Sequence, residues 1–452
     1  MEMDALKEFA LTFLEISALL LTFLFGLLVL VVIYMYISDV TQTSQTIRRN
    51  YPVIGRFRYF FEHLGEFFRQ YFFALDREEL PFNRAQRSWV YRAAKDVDST
   101  VAFGSTHPLN EPGDFIFLNG LFPPLDEEVQ PRSAIVFGEG FAAQPYATTS
   151  FFNISAMSFG ALSAPAIQAL SHGAAKAGIW LNTGEGAISP YHLEGGCDIV
   201  FQIGTAKYGV RNDMGQLDDT RLRQIAAHDA VRMFEIKLSQ GAKPGKGGIL
   251  PAAKVTSVIA STRGIPEGQD SLSPNRHPEI HTIDDLLDMI ARVREVTGKP
   301  TGIKAVIGQS EWLDEFCQRI QERGLYSAPD FFTVDSADGG TGAAPQSLID
   351  YMGLPVRRSL PLVVDKLVQY GLRERVRVIC SGKMVNPSGV AAALCLGADC
   401  VNSARGFMFA LGCIQALQCN KNTCPTGITT HDEDLQKGLD PTDKARRVAK
   451  YA

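Results

Sequence analysis

The sequence predicts an α/β protein, a closed (β/α)8 TIM barrel preceded by an N-terminal transmembrane helix. Three observations predict this fold class. β-rich runs alternate with helical runs after about residue 95, an uncharged apolar run lies near the N-terminus, and 452 residues suffice for one barrel with additional segments. The composition, 46% hydrophobic and 21% charged, permits a large core. A formal net charge of −5 gives no global basic field, so nucleic acid is not an expected partner.

The first predicted element is the apolar run from Ile16 to Ile37, within a predicted N-terminal domain of residues 1–38. Its 22 uncharged residues are enough to cross a bilayer core as a helix. A signal peptide and a buried core helix are the alternatives, but four acidic residues and only Lys7 precede the run, whereas a signal peptide begins with basic residues. The arginines between Arg48 and Arg58 favour a single pass through the cell (inner) membrane, with the large C-terminal part in the cytoplasm.

Residues 39–95 are expected to form an amphipathic juxtamembrane linker. Aromatic and apolar residues between Phe57 and Phe72 recur at i, i+3 and i+4, with charged residues at other positions. This aromatic face could lie in the membrane interface, or it could pack on the barrel. The pattern does not separate these two alternatives.

Residues 96–452 carry the predicted barrel. Each strand that is followed by a helix implies a parallel strand, and eight such strands imply a closed barrel whose ligands bind at the carboxyl ends of the strands. The expected strands are 151–157, 180–184, 200–204, 234–238, 301–307, 331–336, 377–382 and 400–404. Helical patterns between them include residues 164–177, 217–230, 283–297, 311–323 and 387–396.

Polar residues and glycines follow several of these strands. They include Met157, Ser158, Glu185, Lys237, Gln240, Lys304, Gly339, Gly340, Gly382, Lys383, Arg405 and Gly406. Small residues after the seventh and eighth strands suit a phosphate, because backbone N–H groups can approach it at a helix start, although a glycine there can also merely serve a turn. The dinucleotide motif G-x-G-x-x-G does not follow a predicted strand, so we expect no dinucleotide-binding domain.

Three of the eight cysteines, Cys413, Cys419 and Cys424, form a C-x5-C-x4-C pattern that Pro425 follows. Closely spaced cysteines followed by proline are typical of iron–sulfur loops. A tetrahedral zinc site would need a fourth ligand, which His431 could supply. The remaining cysteines are expected to be small buried side chains: Cys197, Cys317, Cys380, Cys395 and Cys400.

From about residue 150 to 430 the chain resembles the FMN-binding synthase domain of glutamate synthase, in particular the stand-alone, membrane-anchored members of that family. The matching motifs occur in the same order as in the family. They are Ile154–Gly160, Asn182–Gly186, Glu235–Gly245, Asp338–Gly342 and the Cys413–Cys424 loop, which Pro-Thr-Gly follows.

The resemblance implies that reduced FMN delivers hydride to 2-iminoglutarate, formed from ammonia and 2-oxoglutarate, and that a 3Fe–4S cluster supplies the electrons. It implies catalytic or substrate-binding roles for Lys237, Glu185, Gln240 and Arg263. It implies that Cys413, Cys419 and Cys424 ligate the cluster. The cofactor-binding residues it implies are Met157, Ser158, Gln202 and Lys304 at the flavin ring, Gly382, Lys383, Arg405 and Gly406 at the phosphate, and also Gly339 and Gly340.

Three of these residues also have purely structural interpretations. Arg263 could be a surface residue at the end of a helix, and Glu185 could cap the helix that follows it. Lys304 could form an ion pair within a layer of the barrel interior.

The chain departs from full-length glutamate synthase at its start, where Met1-Glu2 is soon followed by the apolar run instead of a cysteine-nucleophile glutaminase domain. No pyridine-nucleotide domain is expected either. Ammonia and electrons would therefore come from partners, with a ferredoxin, a reductase subunit or a membrane quinone as the electron-transfer partner. The alternative functions are a membrane-linked amino-acid or amine dehydrogenase that passes electrons to a quinone or redox partner, and a non-enzymatic membrane scaffold.

Overall fold

The computed structural model describes residues 2–109, 115–131, 133–238, 247–339 and 344–452. Two compact units meet in the sequence between Ala85 and Gln86. We refer to them as the N-terminal unit and the barrel unit.

The N-terminal unit contains α1 (Glu2–Thr41), α2 (Thr46–Asn50) and α3 (Gly55–Phe68), and α3 continues into a π-helical turn, Arg69–Phe73. The most apolar part of α1 has a mean hydropathy of 3.0, and none of it is buried by other residues. A long apolar helix near the N-terminus is therefore confirmed, with a length and composition that permit a membrane crossing. The amphipathic helix predicted within the linker is also observed.

The barrel unit begins around α4 (Arg84–Ala94) and contains eight parallel strands in a closed ring, as the sequence predicted. All eight expected strands are present, with somewhat shorter bounds at most ends. They are β3 (Phe152–Ile154), β4 (Leu181–Asn182), β5 (Ile199–Ile203), β6 (Val231–Lys237), β9 (Thr301–Val306), β10 (Phe331–Asp335), β11 (Arg377–Ser381) and β12 (Cys400–Ser403), joined in the order β10-β11-β12-β3-β4-β5-β6-β9. Most of their residues are buried, as expected for parallel strands covered by helices on the outside.

Helices surround the ring, and several begin and end where local chemistry dictates. Ser163 caps α5 and Thr282 caps α9, while Gly178 and Gly298 end these helices in left-handed conformations. The helix expected at 217–230 is shorter at both ends, and Asp218 is its N-cap. The helices are α5 (Ala164–Ala177), α6 (Pro190–Leu193), α7 (Asp219–Ala226), α8 (Ser257–Arg263), α9 (Ile283–Thr297), α10 (Glu311–Arg323), α11 (Gln346–Tyr351), α12 (Val356–Gln369), α13 (Pro387–Cys395), α14 (Arg405–Leu411), α15 (Glu433–Gln436) and α16 (Pro441–Tyr451).

A hairpin that the sequence did not predict, β1 (Ile135–Phe137) with β2 (Tyr146–Thr148), closes the amino ends of the barrel strands. Phe137 is fully buried there, and its ring packs edge-on against Trp180 and Phe331. Because this end is filled, a ligand must enter from the carboxyl ends of the strands. In a second antiparallel pair, β7 (Ile249–Leu250) with β8 (Ser271–Leu272), helix α8 lies in the segment that connects the two strands.

The predicted burial of the isolated cysteines is confirmed for Cys197, Cys317, Cys380 and Cys400. It is wrong for Cys395, which is exposed. Cys395 is the last residue of α13, whose buried positions are Val390 and Ala393, so its side chain falls on another face of that helix.

Candidate functional site

A cavity of about 270 Å³ lies at the carboxyl ends of the barrel strands. It brings together residues that are far apart in the sequence. The predicted residues that line it are Met157, Ser158, Glu185, Gln202, Lys237, Arg263, Lys304, Gly339, Gly382, Lys383, Arg405 and Cys419. Gly406, Cys413 and Cys424 do not line it, and Gln240 and Gly340 lie outside the described residues.

The floor of the cavity is organised by Glu235, a residue to which sequence reasoning gave no role. Its carboxylate is buried and accepts hydrogen bonds from Asn182 Nδ2 (2.9 Å), Gln202 Nε2 (2.6 Å) and Thr333 Oγ1 (2.6 Å). These partners come from β4, β5 and β10, so one carboxylate connects four strands. Glu235 thereby fixes the side-chain amide of Gln202, which faces the cavity.

Lys304 on β9 is a buried cation at the same level. Its Nζ lies 3.1 Å from Asp335 Oδ2, so the expected ion pair within the barrel is present. Burial alone would lower the pKa of Lys304, but the charges of Asp335 and Glu235 outweigh it and raise that pKa above its usual value. Since Lys304 also lines the cavity, its ammonium, paired with Asp335, lies where a bound ligand could meet it.

Lys237 and Glu185 form a second ion pair at the cavity wall, with Lys237 Nζ 3.3 Å from Glu185 Oε2. Glu185 lies in a short 3-10 turn, Gly184–Gly186, directly after β4. The helix-capping role considered for Glu185 is wrong, because Ser189 occupies the N-cap position of the following helix, α6. The close approach of Glu185 requires glycine at position 204, where a Cβ would lie 2.5 Å from the Cβ of Glu185.

Arg263, the last residue of α8, is buried and lines the cavity, so the surface alternative is wrong for it. Its Nη2 donates to the Phe159 carbonyl oxygen at 3.1 Å, and its Nη1 donates to Ser271 Oγ at 3.3 Å. Its Nε is buried and has no hydrogen-bond acceptor among the described residues. Burial lowers the pKa of Arg263, and the nearby Tyr208 and Glu185 oppose that effect. One donor of this guanidinium is therefore left without an acceptor among the described residues.

The ends of β11 and β12 supply a second cationic region. Lys383 adopts a positive φ of 51° and its Nζ lies 2.9 Å from Asp338 Oδ2. Arg405 begins α14, whose N-cap residue, Ala404, provides no side-chain hydrogen bond. An uncapped helix start beside two cations suits an anion.

The two glycines of this region have packing roles that the sequence could not reveal. A Cβ on Gly382 would collide with Ser336 on the neighbouring strand end, and one on Gly406 would collide with the hydroxyl of Tyr451. Gly406 lies behind the cavity wall, so its predicted contact with a cofactor stays a prediction.

The three clustered cysteines follow α14 in one loop, which begins at Gly412 with a φ of 106°. Burial, with smaller effects from Cys419 and Cys424, raises the pKa of the Cys413 thiol to about 11. Tyr91 donates its hydroxyl to the Cys413 carbonyl oxygen at 2.5 Å. Within the described part of the chain, no three His, Cys, Asp or Glu side chains are grouped closely enough to hold one metal ion.

His431, the possible fourth zinc ligand, hydrogen-bonds the Gly160 carbonyl oxygen through Nε2 at 2.8 Å. Burial lowers the pKa of His431 to about 4, so its ring is neutral at pH 7. With no grouped ligand set among the described residues, a mononuclear zinc site receives no support.

Lys254 is a residue of this region that sequence reasoning missed. It is buried, lines the cavity, and donates Nζ hydrogen bonds to the carbonyl oxygens of Thr429 (2.7 Å), Cys419 (2.9 Å) and Ala161 (3.4 Å). Burial lowers the pKa of Lys254 to about 8. Its ammonium connects the cavity with the cysteine loop. A lone lysine in a loop carries no sequence pattern that would have revealed this role.

The charge on the cavity wall is strongly unbalanced. Two lining carboxylates, Glu185 and Asp335, face six cationic side chains: Lys237, Lys254, Arg263, Lys304, Lys383 and Arg405. Only three of the six form ion pairs with a carboxylate in the described part of the chain. Such a cavity favours ligands with several negative charges.

The sequence shows clear similarity to known proteins. A family model described as a conserved region in glutamate synthase matches residues 129–452. The chain is 39% identical over 473 residues to the "Glutamate synthase large subunit-like protein YerD" of Bacillus subtilis (strain 168), covering 96% of this chain and 89% of that protein. A "Glutamate synthase large subunit-like protein" of Rhizobium meliloti (strain 1021) is 31% identical over 337 residues, covering 71% of this chain and 72% of that protein.

The chain is also 35% identical over 297 residues to the "Archaeal-type glutamate synthase [NADPH]" of Thermotoga sp. (strain RQ2). This alignment covers 65% of the present chain but only 55% of the Thermotoga protein. The chain therefore spans about half the length of that relative.

Proposed function

Because this chain belongs to the glutamate synthase family, we propose that it is a membrane-anchored oxidoreductase that uses FMN and a 3Fe–4S cluster to aminate 2-oxoglutarate reductively. The observation that carries the proposal is the cationic cavity at the carboxyl ends of the barrel strands. FMN brings a phosphate and 2-oxoglutarate brings two carboxylates, and the excess of six cations over two carboxylates matches both.

Arg263, Lys237 and Glu185 form the proposed substrate end of the cavity. Arg263 would bind a carboxylate of 2-oxoglutarate, since a guanidinium pairs with carboxylates in a bidentate geometry and its Nε has no acceptor among the described residues. Lys237 would donate a proton to the carbonyl oxygen or imine nitrogen. Glu185, 3.3 Å from Lys237, would return that proton or position ammonia. Gln240 is proposed as a further contact to 2-oxoglutarate.

The residues at the other end fit FMN. The start of α14, with Lys383 and Arg405 beside it, suits the phosphate, and Gly382, which lines the cavity, would allow the backbone to approach. Gly406 is proposed as a further phosphate contact, although it does not line the cavity. The other proposed ring contacts come from Met157, Ser158, Gln202, Gly339 and Gly340. When bound, FMN would supply hydride transfer, and the charge of Lys304 would favour a negatively charged flavin.

The cysteine loop fits a multi-iron cluster better than a single ion. Cys413, Cys419 and Cys424 follow α14 in one loop, and no three metal-ligating side chains among the described residues are grouped around one ion position. In an iron–sulfur cluster each thiolate binds a different iron, so separated thiols are suitable ligands. Cys419 lines the cavity, which would bring the cluster next to the flavin. A ferredoxin, a reductase subunit or a quinone would exchange electrons there.

An anaerobic absorbance spectrum of the detergent-purified protein is the first test. We expect flavin bands with a broad iron–sulfur shoulder, and a further shift when 2-oxoglutarate is added. Protein reduced with dithionite and supplied with ammonium and 2-oxoglutarate should then form glutamate. An Arg263→Lys variant should keep the flavin spectrum but lose roughly tenfold or more in apparent affinity for 2-oxoglutarate, because a bidentate pair is lost.

Two outcomes would overturn the proposal. Absence of flavin would refute an FMN enzyme altogether. Flavin that is reduced by an amino acid or amine without added donor, in protein that makes no glutamate, would favour the dehydrogenase alternative, and the long apolar helix α1 agrees with electron delivery to a membrane quinone.

A further inference from the structure

A buried carboxylate fixes the junction between α1 and α3. Asp39 is fully buried and accepts hydrogen bonds from Arg48 Nε (2.8 Å), Arg56 Nε (2.9 Å) and the backbone N–H of Val53 (2.9 Å). The pairs with both arginines are charge-assisted, and the two partly exposed arginine side chains cover the carboxylate between them. At the start of α3, a Cβ on Gly55 would lie 2.8 Å from the Ile47 carbonyl oxygen. The junction is therefore a closely packed joint and not a flexible linker.

This joint lies at the level of the membrane surface if α1 crosses the bilayer. The apolar run of 22 residues would span about 33 Å as a helix, close to the thickness of the hydrocarbon core. Asp39 follows the last apolar residue, Ile37, by two positions, or about 3 Å along the axis. The start of α3 is thereby held among the lipid headgroups. Arg48 and Arg56 lie at that depth, where anionic headgroups attract cations.

Helix α3 makes little contact with α1. α2 packs against both helices, whereas α1 and α3 do not run side by side. The aromatic face of α3 and its π-helical turn remains uncovered by the described residues. Phe57 is 59% exposed, Phe61 61% and Phe72 73%, and Phe60, Phe67, Phe68 and Tyr71 are exposed as well. Arg58, Glu62 and Glu66 occupy other faces.

We propose that residues 55–73 lie in the plane of the membrane interface, with the aromatic face towards the acyl chains and the charged face towards the cytoplasm. The proposal rests on the membrane anchor put forward above. Aromatic rings are favoured at this depth, because their apolar bodies leave water while polar edges stay hydrated. Lipid is the occupant that we infer, since the contacts of Asp39 hold the start of α3 next to the end of α1, which places it at the bilayer surface if α1 crosses the membrane.

Tryptophan scanning of the full chain in lipid nanodiscs tests this inference. Phe60→Trp and Phe67→Trp place the probe on the aromatic face, and Glu66→Trp places it on the opposite face as a matched control. Quenching by phospholipids brominated on their acyl chains is compared with that of the wild-type protein, whose three tryptophans give the background. Circular dichroism and gel filtration first confirm that each variant is folded.

We expect at least about twofold stronger quenching of the added fluorescence in the two aromatic-face variants than in Glu66→Trp. Equal quenching at all three positions, in protein that is stably inserted in the nanodisc, would show that the aromatic face is not turned towards the acyl chains and would overturn the inference alone. Protein that does not insert at all would refute the membrane anchor, and this inference with it.

Discussion

Replacement of Glu235 tests how much one buried carboxylate contributes to the barrel and its cavity. Its two oxygens accept three hydrogen bonds from side chains on three other strands. Glu235→Ala leaves all three buried donors without an acceptor, and each such group costs about 1–3 kcal/mol. Allowing for partial relaxation, we expect the free energy of unfolding to fall by about 3–6 kcal/mol.

Glu235→Gln provides a graded comparison. The amide oxygen can still accept from Asn182 and Gln202, and the hydroxyl of Thr333 can turn to accept from the new NH2 group. We expect a loss of about 1–2 kcal/mol, because one charge-assisted network becomes neutral. Removing the charge should also lower the pKa of Lys304, which Glu235 helps to raise.

The assay is urea-induced unfolding in detergent, followed by near-ultraviolet circular dichroism. Glu322→Ala is the matched control, since Glu322 is an exposed glutamate paired with Arg319 on α10, and its removal should change stability by about 0.5 kcal/mol or less. If Glu235→Ala were as mild as this control, the buried network would not organise the floor of the cavity and the reasoning would be wrong.

Two further predictions concern the packing around the site. Burial lowers the pKa of His192 to about 3, against about 6.5 in an unfolded chain, so unfolding takes up a proton between these values. Stability should fall by up to about 1.4 kcal/mol per pH unit as pH drops from about 6 towards 3, and His192→Gln should flatten this dependence in denaturation curves. Lys254→Met should cost about 1–3 kcal/mol and loosen the cysteine loop, because the carbonyl oxygens of Cys419 and Thr429 lose their donor. Limited proteolysis measures that loosening when the cleavage rate of Lys254→Met is compared with that of Lys421→Met, a control at an exposed lysine.

The barrel was predictable because the sequence patterns of its strands and helices are local. Parallel strands covered on both faces form short apolar runs, and capped amphipathic helices alternate with them, so all eight strands were located with bounds that differ by up to three residues, and three helices were located with the observed bounds. The hairpin β1–β2 was missed, since its three-residue strands carry no periodicity and its purpose, to fill the amino end of the barrel, appears only in three dimensions.

The site was predictable to the extent that residues follow strand ends. Lys237, Glu185 and Lys304 meet in one cavity because parallel strands end at the same side of the barrel. The roles of Glu235 and Lys254 were not predictable, because their partners come from distant strands and from loop carbonyl oxygens. Such non-local hydrogen bonds leave no mark in the spacing of the sequence.

Gly406 shows how a strand-end glycine can be required for two different reasons, and a rescue experiment separates them. A Cβ at this position would collide with the hydroxyl of Tyr451, which donates to the Val385 carbonyl oxygen at 3.0 Å. If packing alone requires glycine, Gly406→Ala should cost about 1–3 kcal/mol, and Tyr451→Phe in the same chain should recover only part of that loss, because it removes the nearest oxygen but leaves Tyr451 Cζ and Ser403 Oγ each 2.7 Å from the new Cβ. Thermal unfolding measures both effects. The double variant could regain stability and still fail to retain FMN that the Tyr451→Phe single variant binds, and Gly406 would then also serve the phosphate. If the double variant regains both stability and FMN, the glycine is needed only for the packing of α16.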